Sequence, residues 1–428
     1  MRLALLVFLP AFAAAQPMDL FGAGPRSIGM AGVQAAADDD WSAAYYNPAL
    51  LWHGSVGVGF NYSVPQLFIR QTAEAMPGQE LSARTPVDYP GIAFGASVPL
   101  IGVLRDKVAL GVTLYSPVRH VFRSHIIDEG TAYFLRYDNA PERLQLALGL
   151  SIRPLPWLAL GLGTQVLSNY FGYAEFTTVL GMNGPGRVIR RRLDSEVLGV
   201  FAPTVGLAVG PLKWFKVSAY WRGELKTTFE QPIAVDLGTF GSLDVMVSGV
   251  TQYSPHVFGL GIWAVFLDGR MTAGVDLAYE RWSATPPLVP DIRINLPQTL
   301  RDLGFHPDIV SRELAMGFSD TLVPRIGLEY RPLDRLAVRA GWCYRPTMVP
   351  PQTGRSNFLD ADANVMSLGL GWAFDDPLKM AKTLNVDLAG QLTALSHRQV
   401  VKDGANSNPN YRFGGTNLLV SLAVKYQF

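Results

Sequence analysis

Fourteen stretches of this chain alternate apolar side chains with small or polar ones, and the gaps between them run long, short, long, short to the end. The stretches lie near 55–64, 91–100, 107–118, 143–153, 157–173, 200–210, 215–229, 255–267, 271–283, 323–331, 336–345, 364–374, 384–396 and 417–428. Period-two alternation marks a β-strand with two unlike faces. It fits a two-sheet sandwich as well as a closed barrel, and the gaps separate the two. Short gaps occupy 101–106, 154–156, 211–214, 268–270 and 332–335; long ones occupy 65–90, 119–142, 174–199, 230–254 and 284–322. A sandwich has no cause to keep that beat. A transmembrane barrel does, because its turns are short on one side of the membrane and its loops long on the other. Most stretches also reach the roughly 9–11 residues that a tilted strand needs to cross a bilayer. The expected fold is an all-β, antiparallel transmembrane barrel of about 14 strands; extended-looking pieces at 131–138 and 242–249 leave 12 or 16 open.

Composition agrees. Only 17% of residues are charged and 49% are hydrophobic, with a net charge of +1, so no long-range field calls for nucleic acid. Beyond the N-terminus no apolar run approaches the roughly 20 residues of a membrane helix. Residues 1–15 read as a signal peptide, with Arg2, an apolar run over 3–12 and the small residues Ala13, Ala14 and Ala15. A single cysteine, Cys343, rules out an internal disulfide and a thiolate metal cluster. An exported, apolar chain without a disulfide framework suits the bacterial outer membrane, where outer-membrane lipid and lipopolysaccharide become its surroundings.

The final strand shows the pattern most clearly. Leu418, Val420, Leu422, Val424, Tyr426 and Phe428 share one face, and Leu419, Ser421, Ala423, Lys425 and Gln427 the other. In a barrel the first face meets lipid, and the terminal aromatics Tyr426 and Phe428 become a signal for the barrel-assembly machinery. The same parity turns Arg325, Arg339 and Arg345 toward the lumen. There they could meet a ligand carboxylate or pair with Glu329 or an N-terminal Asp. Arg187, Arg190, Arg191 and Arg192 fall in the third long gap, as a lipopolysaccharide contact or a solvated loop.

Residues 16–53 do not read as a membrane strand, and residues 54–428 form the expected barrel. The earlier segment is rich in small and aromatic residues, with Asp38, Asp39 and Asp40 ahead of a short helical turn and Asn47-Pro48 closing it. A barrel of about fourteen strands leaves an aqueous lumen, and a compact plug of this size fits there. The pattern Gly22, Gly24, Arg26, Gly29, Met30, Ala31, Gly32, then Asp38, Asp39, then Asn47, Pro48, Ala49 resembles the FadL/TodX outer-membrane transporters of long-chain fatty acids and other hydrophobic compounds. Residues 276–283, 323–332, 340–346 and 364–374 extend the resemblance over nearly the whole mature chain. It implies a hatch within a 14-stranded barrel, an extracellular groove, an apolar pocket and lateral exit through the wall. Leu20 and Phe21 are candidates for touching the ligand's tail, and Asn47 for fixing a hatch bend that moves on binding.

Rival functions have weaker support. Gly161-Leu162-Gly163 and Gly369-Leu370-Gly371 imitate a nucleotide loop but lie in strands, so packing glycines are the better reading. No Gly-x-Ser-x-Gly elbow is present. The six histidines lack metal spacing, although His120 and His125 flank a loop with Asp128. The expectation is a monomer that is not an enzyme and carries no cofactor or metal. Its partner is a hydrophobic small molecule, a fatty acid or hydrocarbon. A FadL-fold shuttle for secreted cargo and a general diffusion porin are the alternatives, with an outer-membrane lipid hydrolase behind them.

Overall fold

The computed structural model describes residues 13–14, 17–33, 35, 41–72, 80–119, 130–138, 143–179, 187–212, 214–236, 242–287, 291–302, 304, 317–375, 383–403 and 409–428. Fourteen antiparallel strands close into a barrel, and no helix among the described residues is long and apolar enough to cross a membrane. The first seven are β1 (Ser55–Gln71), β2 (Tyr89–Pro99), β3 (Val108–Pro117), β4 (Gln145–Leu155), β5 (Leu158–Val179), β6 (Arg187–Leu212) and β7 (Phe215–Arg222). The rest are β8 (Val257–Phe266), β9 (Met271–Glu280), β10 (Thr321–Leu333), β11 (Leu336–Arg345), β12 (Ala363–Asp375), β13 (Thr383–Val400) and β14 (Tyr411–Gln427). The seam is continuous: β14 returns to β1 in register from Ser55 opposite Gln427 to Gln71 opposite Tyr411.

The two faces of each strand divide as the alternation requires. Leu418, Val420, Leu422 and Val424 are 42–51% exposed, while Leu419, Ser421, Ala423 and Lys425 are buried. Phe258, Leu260 and Ile262 on β8, Ile326 and Leu328 on β10, and Leu368 and Leu370 on β12 carry the outward belt round the molecule. Apolar surface left in water costs roughly 25 cal/mol per Å², so hydrocarbon is the solvent this belt fits. The strands are built to cross a membrane.

One strand stops earlier than its sequence suggests. The stretch 215–229 was expected to be continuous, but β7 ends at Arg222. Gly223 N–H donates to the Pro203 carbonyl of β6 at 2.7 Å, and Pro203 has no N–H to return the next rung. The chain then makes an inserted hairpin, Leu225–Asp236 against Ser242–Ser254. Its first arm leaves the wall, packs Leu225 on Ala202 and Leu167, and pairs in parallel with the far edge of β5, Ile233 opposite Ala174. Its second arm takes on Asp291–Asn295 from the next long connection. The extended piece at 242–249 is therefore part of the inserted hairpin, and the wall keeps fourteen strands. The piece at 131–138 holds Ala132–Phe134, the middle of a small cap sheet with Ala83–Arg84 and Phe358–Leu359. Arg187, Arg190, Arg191 and Arg192 also differ from expectation. They lie on β6, paired with Val179, Thr177, Phe176 and Glu175, because the β5–β6 ladder continues beyond the apolar band.

Residues of the N-terminal segment fold inside the bore as α1 (Pro17–Phe21), α2 (Pro25–Gly29), α3 (Ala43–Tyr46) and a 3-10 turn over Pro48–Leu50, and most are buried. Luminal glycines make the room. The Pro48–Ala49 backbone lies on Gly161, the Met30–Ala31 backbone on Gly341, and the Trp41 ring over Gly57 and Gly95. A Cβ at Gly161 or Gly341 would run into backbone, which shifts far less readily than a side chain.

Candidate functional site

The N-terminal segment is fastened to the wall by buried charge. Arg26 on α2 donates to Glu329 of β10 at 3.0 Å, and Arg339 of β11 donates to the same carboxylate at 2.7 Å. Arg331 reaches its other oxygen at 3.0 Å, and Arg339 also bonds Asp387 of β13. Arg26, Glu329 and Arg339 are at most 5% exposed. Removing one member of such a group typically costs about 3–5 kcal/mol, because its partner stays buried and uncompensated. Gly29 abuts Gly369 of β12, and Gly32, with φ +82°, sits against the Arg325 side chain.

Asn47 joins two parts of the segment. Its Oδ1 accepts from Ala49 N–H at 3.1 Å and caps the 3-10 turn, while its Nδ2 donates to the Ala35 carbonyl at 2.9 Å. Ser218 of β7 donates to the same carbonyl, and Ala35 N–H donates to Asp276 of β9 at 2.9 Å. Pro48 fixes the first position of the turn, where its missing N–H costs nothing. Ala49 accepts from Trp52 Nε1 at 2.8 Å and Ser151 Oγ at 3.0 Å. Asn47, Ala35 and Ser218 thus tie the segment to one side of the wall, at β7 and β9.

Asp19 of α1 meets two arginines of the wall. Arg222 binds its carboxylate at 2.7 Å, Tyr45 donates to it, and Arg345 reaches its backbone oxygen at 3.5 Å. Arg325 lines the same cavity with Asp276 opposite it in register. The cavity holds about 40 Å³, room for a water molecule or so and not for an alkyl chain. Leu20 and Phe21 then lead into an apolar column with Tyr89, Tyr115, Phe134, Leu359 and Phe413. The column continues to the cap, where Tyr89 hydroxyl bonds the carbonyls of Tyr137 and Asp138 at 2.6 and 2.8 Å. Arg136 braces the cap through Asp360 at 3.3 Å and the face of Trp282 at 5.0 Å.

The sequence candidates divide by place. Leu20, Arg325 and Arg345 come together at the cavity, Phe21 packs beside Tyr89 in the apolar column, and Arg339 is held by Glu329 and Asp387. Asn47, Pro48 and Ala49 form the capped turn, and Gly29 and Gly32 the contacts with β12 and Arg325. Asp38 and Asp39 lie outside the described residues, as do His120, His125 and Asp128. Asp19, Tyr45, Arg222, Ala35 and Ser218 were not singled out from sequence. Strand parity alone puts Ser218 and Arg222 on the luminal face. At the seam, Tyr426 lies opposite Val56, and Phe428 donates its N–H to Gly54 at 3.1 Å. Among the described residues no group of His, Cys, Asp and Glu could hold a metal ion.

An apolar-belted barrel whose bore is filled by its own N-terminal segment has the build of a plugged membrane channel. Residues 5–428 match the family described as outer membrane protein transport protein (OMPP1/FadL/TodX), and the chain belongs to that family. Alkane uptake protein A of Marinobacter nauticus is 22% identical over 406 residues, 88% of this chain and 83% of that protein. A Pseudomonas aeruginosa FadL homologue has the same fold, with 16% identity, TM-score 0.62, and coverage of 95% of this chain and 98% of the other. The Pseudomonas putida toluene transporter TodX follows with 14% identity, TM-score 0.56 and coverage of 96% and 99%.

Proposed function

We propose that the protein takes up hydrophobic small molecules from outside the cell, with long-chain fatty acids as cargo, and that its N-terminal segment is a hatch moved by the ligand. The observation that carries this reading is Asp19. A carboxylate held by Arg222 and followed by Leu20 and Phe21 has the chemical layout of a fatty acid's head and first chain segment. An incoming carboxylate competes for the same guanidinium, and its chain gains about 0.8 kcal/mol per methylene by replacing water with the apolar column. The small size of the cavity supports a moving hatch, since cargo needs space that α1 now fills. For exit we propose a sideways path at the top of β7. That strand has eight residues, fewer than the roughly 9–11 that span a bilayer, which supports an opening where the ladder between β6 and β7 ends.

A second reading, cargo without a head group, is favoured by the relatives named for alkane uptake and toluene transport. Uptake of labelled palmitate and hexadecane by cells carrying Arg222→Gln separates the two. With fatty acid as cargo, palmitate uptake falls about tenfold, the worth of one charge-assisted contact, and hexadecane uptake holds. Equal effects on both molecules would reject a carboxylate-reading site.

A further inference from the structure

The cavity beside Asp19 carries more positive than negative charge. Among the described residues its lining sets the guanidinium groups of Arg222, Arg325 and Arg345 against the carboxylates of Asp19 and Asp276, three cations facing two anions. Arg222 is 7% exposed and lies near the rings of Tyr45 and Tyr220, at 4.8 and 5.7 Å. Its pairing with Asp19 leaves its Nε without a hydrogen-bond partner. Arg345 reaches only the Asp19 backbone oxygen, at 3.5 Å, the outer limit of a useful contact. Arg325 makes no hydrogen bond and no ion pair among the described residues.

We propose that this cavity binds a small inorganic anion, chloride, and that the ion ties the N-terminal segment to the wall. A charge taken out of water without a counter-charge is expensive, and a single anion evens the count. Size selects the kind of anion. About 40 Å³ accepts an ion little larger than a water molecule and excludes sulfate, phosphate and an alkyl chain. The edges of Arg325 and Arg345 and the Tyr220 hydroxyl supply the donors. The lining comes from two sides, Asp19, Gly22 and Gly32 from the N-terminal segment and the arginines from β7, β10 and β11. Gly32, at φ +82°, brings its backbone so close that a Cβ there would lie 3.4 Å from Arg325 Nε. An anion held between the two sides stabilises the arrangement that builds the cavity, increasingly so as its concentration rises. This goes beyond the uptake reading and does not depend on it.

Crystals of the full protein grown in sodium bromide give the direct reading. An anomalous bromide peak is expected in the cavity, within hydrogen-bond reach of Arg325 and Arg345. In detergent solution, chloride NMR line broadening should saturate, bromide should compete and sulfate should not. Arg325→Gln evens the charges and should weaken chloride binding about tenfold, the worth of one hydrogen bond to a charged group, while Arg325→Lys keeps most of it. Heat-modifiable gel mobility verifies that each variant barrel is folded. The preference of the unaltered protein for bromide over sulfate tests the site without any variant. No peak in the cavity, equal competition by sulfate, or unchanged binding in folded Arg325→Gln would overturn the proposal. A peak without saturable binding in solution marks an adventitious ion only and overturns it too. None of these results bears on palmitate uptake by Arg222→Gln cells, so the two readings fail separately.

Discussion

Asn47 concentrates much of the hatch's local order in one side chain. It satisfies one donor of the 3-10 turn and one acceptor at Ala35, 12 residues away, and it is fully buried. Replacing a capping Asn by Ala costs about 1 kcal/mol, and the Ala35 carbonyl would lose one of its two donors. A shift of that size changes a two-state population about fivefold. Asn47→Ala is therefore expected to raise ion leak and to change hydrophobic uptake about fivefold at matched barrel levels. Unchanged uptake would remove Asn47 from the hatch mechanism. Sequence located this residue because Asn-Pro ends a turn in a recognisable way. It did not locate Asp19, whose importance comes from Arg222, some two hundred positions along the chain. Long-range charge pairing leaves no local periodicity to read. Glu329 was legible as a possible partner because it shares a strand face with the arginines.

At the scale of elements, alternation and gap length found every wall strand, and β11 at its observed bounds, because lipid outside and a packed lumen inside impose period two. The inserted hairpin alternates in the same way, with Leu243, Val245 and Val247 buried on one face. Periodicity alone therefore could not tell inserted hairpin from wall. What separates them is the ladder ending at Pro203 and Gly223. If cargo leaves sideways there, the last rung must part. A disulfide joining Pro203→Cys to Gly223→Cys, in a Cys343→Ser background, is expected to lower uptake at least fivefold until reduced. Uptake that ignores the crosslink would place the exit elsewhere. The closing strand carries a separate expectation. Phe428 is 47% exposed at the seam, and we propose that its ring is read during assembly. Deleting it should reduce outer-membrane levels several-fold, and normal levels of the truncated protein would remove that role.

The whole molecule is a closed barrel in which the described residues place a loop cap, a packed apolar column and the N-terminal segment. Each is built differently. The cap uses strand pairing and the Arg136–Asp360 bridge, the column aromatic packing, and the N-terminal segment buried ions and glycine contacts. Sequence showed the barrel; the arrangement inside it required the fold, since its residues come from distant parts of the chain. In the proposed mechanism the hatch must move for cargo to pass. Met30 of the hatch and Gly327 of β10 offer the most direct test, because a Cβ built at Gly327 lies 3.1 Å from Met30 Cβ, close to the roughly 3.5–4.5 Å of a disulfide. With Met30→Cys, Gly327→Cys and Cys343→Ser, uptake of labelled palmitate should be at least tenfold lower in oxidised cells and return on reduction. Equal uptake with the crosslink fully formed would contradict a moving hatch.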